Sequence, residues 1–305
     1  MTKKLMYLLG IIITILVGTY FFMKCCSCCG LPTSDTNSVS NTNEETKTPV
    51  EPEATSYPFS LKGNGFEFSN NDNFNFKTSE FKYQEPLSEN VNKGVVALQQ
   101  YLDKDATNAV TITGFYTDAE ENNSAYPNLG IARANAVKNY VVASGVSSSK
   151  LNIAGQLMDS MVPKDSIYYG PVAYEPIVAE DNTAEMDALY LKIKANPLVL
   201  HFKTGEAAIN LTTEQRQKIA DISTYLDKVE DAMCTVVGHT DNTGVRANNI
   251  NLGLNRAEFA KQYLIGNGIS SAKINTSSKG PDEPIATNDT EEGKAQNRRT
   301  VVTLK

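Results

Sequence analysis

Hydrophobic positions divide the chain into three regimes. Leu5 to Met23 is an almost unbroken apolar run. From Gly30 to Tyr57 the chain is Ser, Thr, Asn, Glu and Pro with almost nothing apolar. Beyond it, short apolar runs rich in Val, Ile and Thr alternate with longer amphipathic stretches, the pattern of strands exchanging with helices. In the last third the order is readable. Leu198-Val-Leu-His-Phe is a strand, and Thr212 or Thr213 caps a helix to about Lys228 with Glu214 and Gln215 in its first turn. Met233 to His239 is a buried strand, and Asn242-Thr-Gly244 turns the chain. A helix follows from about Asn249 to Gly266, closed by Gly268. Leu252, Phe259 and Tyr263 share one of its faces with Arg256, and Ala257, Ala260 and Leu264 share the neighbouring one. A strand over Lys273–Ser277, a short helix over Asp289–Gln296 and a strand over Arg299–Leu304 complete the order. The fold class expected is α/β, an α+β sandwich with helices on one face of the sheet.

As a helix, Leu5 to Met23 would be about 28 Å long, close to the thickness of a bilayer core. Lys3 and Lys4 precede it, which favours a cytoplasmic N-terminus. A cleaved signal has a shorter apolar region and ends in a small-x-small site. This run ends in Phe-Phe-Met-Lys, so residues 5–23 read as an uncleaved membrane anchor. It carries no acidic residue, which argues against proton conduction by this helix. Gly10, Thr14 and Gly18 form a small-residue stripe suited to helix–helix contact, in a homo-oligomer or with a membrane-complex partner. Cys25, Cys26, Cys28 and Cys29 follow at once. Their spacing does not suit a zinc site; disulfides between copies, acylation, or lipoprotein processing at Cys28 stay open. Cys234 reads as a small core residue.

These boundaries give an anchor with its cysteine cluster over 1–29 and a disordered tether over 30–57. The tether would span about 90 Å fully extended and nearer 30 Å as a coil. A first domain covers 58–178, a linker 179–196 and a second domain 197–305. Met186, Leu189, Leu191 and Ile193 suggest a connecting helix in the linker. The two domains repeat one another. Phe76-Lys-Thr matches Phe202-Lys-Thr, Tyr101-Leu-Asp-Lys matches Tyr225-Leu-Asp-Lys, and Ser144-Gly-Val-Ser-Ser-Ser-Lys matches Asn267-Gly-Ile-Ser-Ser-Ala-Lys.

The repeat includes candidate chemistry. In Thr235-Val-Val-Gly-His-Thr-Asp-Asn-Thr-Gly244, Asp241 stands fifteen residues before Arg256, and in the first domain Asp118 stands fifteen residues before Arg133. An acid at a strand end and a guanidinium on the next helix can face one cleft. The pair suits an amine and a carboxylate carried on one carbon, the carboxylate taken by the forked guanidinium. The alternative is that acid and arginine simply pair with each other. A net charge of −7, from 28 basic and 35 acidic residues, argues against a nucleic-acid partner. His201 and His239 are the only histidines and have no Ser or Cys partner in a recognisable motif. No phosphate-cradling loop or metal-ligand cluster appears, so no cofactor, no metal and no catalysis are expected.

The second domain resembles the OmpA-like C-terminal domain family over nearly all of Pro197–Lys305. The motifs that carry the resemblance are Gly-His-Thr-Asp-Asn-Thr-Gly, Asn249-x-x-Leu252-x-x-x-Arg256-Ala257, and Pro284-Ile-Ala-x-Asn288-x-Thr290-x-x-Gly293-x-x-x-Asn297-Arg-Arg299. The resemblance implies non-covalent binding of peptidoglycan through the zwitterionic end of diaminopimelate in the stem peptide. It puts the ligand-binding acid and arginine on Asp241 and Arg256, with Asn249 and Arg298 lining or supporting the site. It also implies a cell envelope of Gram-negative type, with the domains in the periplasm, the inner membrane favoured over the outer. Gly253 departs from the family's usual Ser and is expected to loosen the helix start. The first domain resembles a divergent copy. Asp118 and Arg133 make a second candidate site, but Tyr126 stands at the place of Asn249, and Tyr168-Tyr-Gly-Pro-Val-Ala-Tyr174 replaces the Asn-Arg-Arg run. A spacer or protein-docking module is the alternative for this copy, and a wall-anchored accessory subunit of a membrane motor or secretion complex is the alternative for the whole chain.

Overall fold

The computed structural model describes residues 53–201 and 210–305. The 5–23 run, Cys25, Cys26, Cys28 and Cys29, the tether up to residue 52 and Phe202-Lys-Thr lie outside the described residues. Among the described residues no helix is long and apolar enough to cross a membrane.

The first lobe starts earlier than the apolar pattern suggests. The Thr55 amide donates to the Val162 carbonyl at 3.0 Å and the Tyr57 amide to Tyr169 at 3.1 Å, so the polar end of the tether is already ordered backbone. Strands β1 (Phe59–Gly63) and β2 (Phe66–Asn70) form a hairpin. Short β3 (Phe76–Lys77), helix α1 (Glu89–Lys104), β4 (Asn108–Tyr116), α2 (Leu129–Ala143), β5 (Leu151–Leu157), short β6 (Ile167–Tyr168) and β7 (Val172–Val178) follow. Central β4 runs parallel to β5 and antiparallel to β7. The parallel step needs a crossover, and α2 supplies it. Its N-terminus is set by Asn128, whose side chain accepts from the Ile131 amide.

The second lobe has the same centre. Helix α3 (Thr183–Ala195) leads into β8 (Leu198–His201), α4 (Thr213–Lys228), β9 (Cys234–His239), α5 (Arg246–Gly266), β10 (Ile274–Gly280), α6 (Glu291–Asn297) and β11 (Arg299–Leu304). The strand order is β10-β9-β11-β8, with β9 parallel to β10 and antiparallel to β11. Period-two alternation sorts the sheet: Leu198, Leu200, Cys234, Val236, Val302 and Leu304 are buried, while Val199, Thr235, Val237, Val301 and Thr303 are half-covered. Thr212 and Gln215 form a reciprocal capping box at the start of α4. On α5 the core face is Ala257, Ala260 and Leu264, and Leu252 faces solvent. The segment expected to be a linker is a structural part of this lobe, since α3 packs on α4 and β11 and buries Met186 and Ile193.

Helix and strand meet at bare backbone. A Cβ on Gly238 of β9 would lie 1.8 Å from the Gly253 carbonyl oxygen, and one on Gly253 would lie 2.9 Å from the Gly238 carbonyl. Gly253 therefore sits mid-helix, where α5 touches the sheet, and does not loosen a helix start. Helix α5 begins at Arg246, earlier than its polar first turn suggests. The first lobe repeats the contact: a Cβ on Gly114 of β4 would lie 2.1 Å from the Gly130 carbonyl oxygen of α2.

The lobes are joined by polar contacts. The Tyr126 hydroxyl meets Ser223 Oγ at 3.1 Å, and the Ala125 amide donates to Asn267 Oδ1 at 2.7 Å. Asn139 donates to the Gly268 carbonyl at 2.8 Å, and Lys228 Nζ donates to the Ser149 carbonyl at 2.7 Å. Lys138, buried in α2, is ion-paired with Asp227. Burial pulls the lysine pKa down and the Asp227 charge offsets part of that.

Gly238→Ala is expected to cost about 3 kcal/mol or more, the upper end for overpacking, because the obstructing atom is backbone and cannot rotate away. Urea unfolding of residues 52–305 measures it; a loss below 1 kcal/mol would show that α5 can lift off β9 cheaply.

Candidate functional site

The end of β9, the turn after it, the first and third turns of α5 and the residue before β11 converge in the second lobe. Asp241 lies just past β9 and is nearly buried. Its Oδ1 accepts the Thr243 amide at 2.9 Å, an Asx turn, and Gly244 completes the bend at φ +90°. Its Oδ2 accepts Arg298 Nη1 at 2.8 Å. Thus the acid pairs with Arg298 and not with Arg256. Asn249, in the first turn of α5, donates to the Thr243 carbonyl at 3.0 Å and holds the turn from below.

Arg256 follows Gly253 by one helical turn, which brings its guanidinium over the end of β9. Its Nη1 donates to the His239 carbonyl at 3.2 Å. Among the described residues it makes no ion pair. Burial lowers its pKa first, the Asp241 charge raises it and the Arg298 charge lowers it further. An arginine starts so high that it stays charged at neutral pH. Burial also pushes the Asp241 carboxyl up, but the hydrogen bonds from Arg298 and Thr243 outweigh burial and hold it below the ordinary carboxylate value. The site therefore holds two guanidinium groups and one ionised carboxylate, and among the described residues Arg256 has a carbonyl partner but no acidic one.

Residues outside the four expected ones frame this cleft. Asn297 is fully buried; its Oδ1 accepts the amides of Ile285 and Ala286 at 2.8 and 3.1 Å, and its Nδ2 donates to Asn288 Oδ1 at 3.0 Å. Asn288 Oδ1 in turn accepts the Asn242 amide at 3.3 Å. This chain of amides ties the loop before α6 to the Asp241 turn and so positions Arg298. The asparagines stand in the motifs, but spacing alone cannot assign them a loop to brace. Beneath Arg256, burial and then the Arg299 charge pull the His239 imidazole down to about 4, so it is neutral at physiological pH. Cys234 is a buried free thiol, pushed up to about 11 by burial.

The first lobe does not form the same site. Asp118 and Arg133 share neither a hydrogen bond nor an ion pair; Asp118 is exposed, and its amide donates to Asp159 Oδ1 at 2.8 Å. The equal fifteen-residue spacing hides an insertion. The touching glycines are 114 and 130 in the first lobe but 238 and 253 in the second, one residue closer. Counting from these glycines, the place of Asp241 falls on Thr117, and Asp118 lies beyond it. Arg133 is instead fully buried against Glu120, which the sequence pattern did not single out. Tyr126, at the place of Asn249, turns its hydroxyl to the second lobe.

Arg298→Ala should raise the Asp241 pKa, since a hydrogen-bonded cation is removed from a half-enclosed carboxylate. Because the wild-type carboxyl is depressed, its contribution to stability is complete above the unfolded value near 3.9 and is lost as pH falls through the lower folded value. Carboxyl NMR titration measures both; an unchanged Asp241 pKa would remove Arg298 as its partner.

The model of the OmpA family matches residues 74–163 and 201–298, more than half of the chain. A probable lipoprotein, YiaD of Escherichia coli (strain K12), is 38% identical over 86 residues, 28% of this chain and 39% of that protein. The peptidoglycan-binding protein ArfA of Mycobacterium tuberculosis (strain H37Rv) is 37% identical over 100 residues, 33% of this chain and 30% of that protein. The chain thus spans well under half the length of these relatives. The crystal structure of the peptidoglycan-associated lipoprotein from Burkholderia pseudomallei is similar at 25% identity and a TM-score of 0.30, covering 35% of this chain and 89% of that one. With two separate regions matched on either side of the α3 connection, the chain belongs to the OmpA family.

Proposed function

We propose that the second lobe grips peptidoglycan non-covalently, through the zwitterionic end of a diaminopimelate stem peptide. The observation that carries this reading is the half-buried Arg256, which makes no ion pair among the described residues, beside an ionised, nearly buried Asp241. The free fork of Arg256 takes the ligand carboxylate. Asp241 keeps acceptor capacity beyond its bonds to Arg298 and Thr243 and takes the ammonium. Arg298 keeps Asp241 charged and aimed, and Asn249 holds the turn. A ligand with only a carboxylate leaves Asp241 without a partner, and one with only an amine leaves Arg256 without one, so the zwitterion is selected over either half. The name of ArfA, a peptidoglycan-binding relative, points the same way.

The reading extends to a protein of the cell envelope, held at a membrane by residues 5–23, with both lobes on the periplasmic side and no catalytic role. A single zwitterion contact is weak, and many chains on one wall would gain by avidity.

Residues 52–305 should co-sediment with purified sacculi, and free diaminopimelate should compete. Arg256→Ala and Asp241→Ala should each weaken binding by roughly 10- to 100-fold, the usual worth of a charge-assisted hydrogen bond. Binding that survives both substitutions would move the contact to another surface.

A further inference from the structure

The two lobes hold corresponding arginines in different states. Arg133 and Arg256 each stand three residues after the helix glycine that touches the sheet. Each also donates Nη1 to the carbonyl of the residue after the strand glycine: Arg133 to Phe115 at 2.8 Å, Arg256 to His239 at 3.2 Å. These matching contacts show that the arginines occupy the same place in the fold. Arg256 makes no ion pair among the described residues. Arg133 is fully engaged.

Glu120 lies in the turn after β4. Its Oε1 accepts Arg133 Nη2 at 2.5 Å and the Ser79 amide at 3.0 Å. Its Oε2 accepts Arg133 Nη1 at 3.1 Å and the Thr117 amide at 3.0 Å. Both side chains are 0% exposed. The rest of the guanidinium is fixed independently: Nε donates to the Glu80 carbonyl at 3.1 Å, and the rings of Phe76 and Tyr168 lie 5.3 and 5.4 Å from its centre. A forked cation and two backbone amides converge on two oxygens, and a cation held from its other sides keeps that geometry when the oxygens change. This is a receptor for a carboxylate, and the chain supplies the carboxylate itself.

We propose that Glu120 is an intramolecular ligand, so that the first lobe is a carboxylate-binding site closed by its own side chain and open to a small organic carboxylate once Glu120 is removed. The Glu120 loop thereby closes the first lobe's own site. This inference concerns the first lobe alone and does not depend on what the second lobe binds.

The test is thermal unfolding of the full chain, carrying Glu120→Ala, titrated with sodium acetate against sodium chloride at equal ionic strength. The substitution leaves a buried guanidinium and two amides unpaired and should lower Tm by roughly 10 °C. Acetate should restore most of the loss saturably. It should do so equally in an Arg256→Ala background, which removes binding through the second lobe. Glu120→Gln, which fills the same space with an amide, and wild type should show no such gain. If Glu120→Ala does not fold alone, soluble recovery on refolding in acetate but not in chloride is the expected result. Acetate no better than chloride, recovery in neither salt, or an equal gain in wild type would each overturn the proposal.

Discussion

The contact between Gly238 and Gly253 sets the rest of the second lobe. With no Cβ on either residue, α5 lies with its backbone against β9, closer than side-chain packing permits. That approach fixes the height of the helix above the sheet. One turn beyond the contact is Arg256, one residue past the strand is the Thr240–Asp241 turn, and both meet at the same edge. The Ala257, Ala260 and Leu264 face then closes the core along the remaining length of α5. Small residues at the contact make the cleft; the charged residues only use it.

The same contact in the first lobe leads to a different outcome, and the cause is local. A strand–helix pair of this kind delivers an arginine to a sheltered edge whether or not a ligand is to bind there. A buried guanidinium without a partner is costly. The second lobe meets that cost with partial exposure, one carbonyl contact and the neighbouring Asp241. The first lobe meets it with Glu120, three carbonyls and two aromatic rings. Enclosure of that kind rigidifies a lobe and removes its access to solvent together.

Residues released from the site position in the first lobe serve the joint between lobes. Tyr126 occupies the place that Asn249 holds in the second lobe, and its hydroxyl reaches Ser223 across the interface. Ala125 joins the hydrophobic core of the second lobe. Lys138 and Asp227 place a part-buried ion pair between α2 and α4, where removing Asp227 would strand the buried lysine. A joint made of directional contacts fixes orientation more strictly than an apolar one of equal size, since sliding would break them all.

The sequence by itself determined the element order of the second lobe, because period-two and period-3.6 alternation and the capping residues are local signals. Cys234 and Val236 against Thr235 and Val237, and Thr212 with Gln215, are read directly from the chain. It also determined the duplication and placed Asp241, Arg256, Asn249 and Arg298 in one neighbourhood, since motif spacing survives in three dimensions when loops keep their length. Only the tertiary structure decided who pairs with whom. Asp241 bonds Arg298 from fifty-seven residues away and not Arg256, a choice made by where the loop braced by Asn297 sets the chain before β11. The constant spacing from Asp118 to Arg133 was the misleading signal. One residue inserted between the touching glycines moves Asp118 past the strand end into solvent, while Glu120 turns inward. Ion pairs depend on separations of an ångström or so, and sequence distance does not carry that resolution.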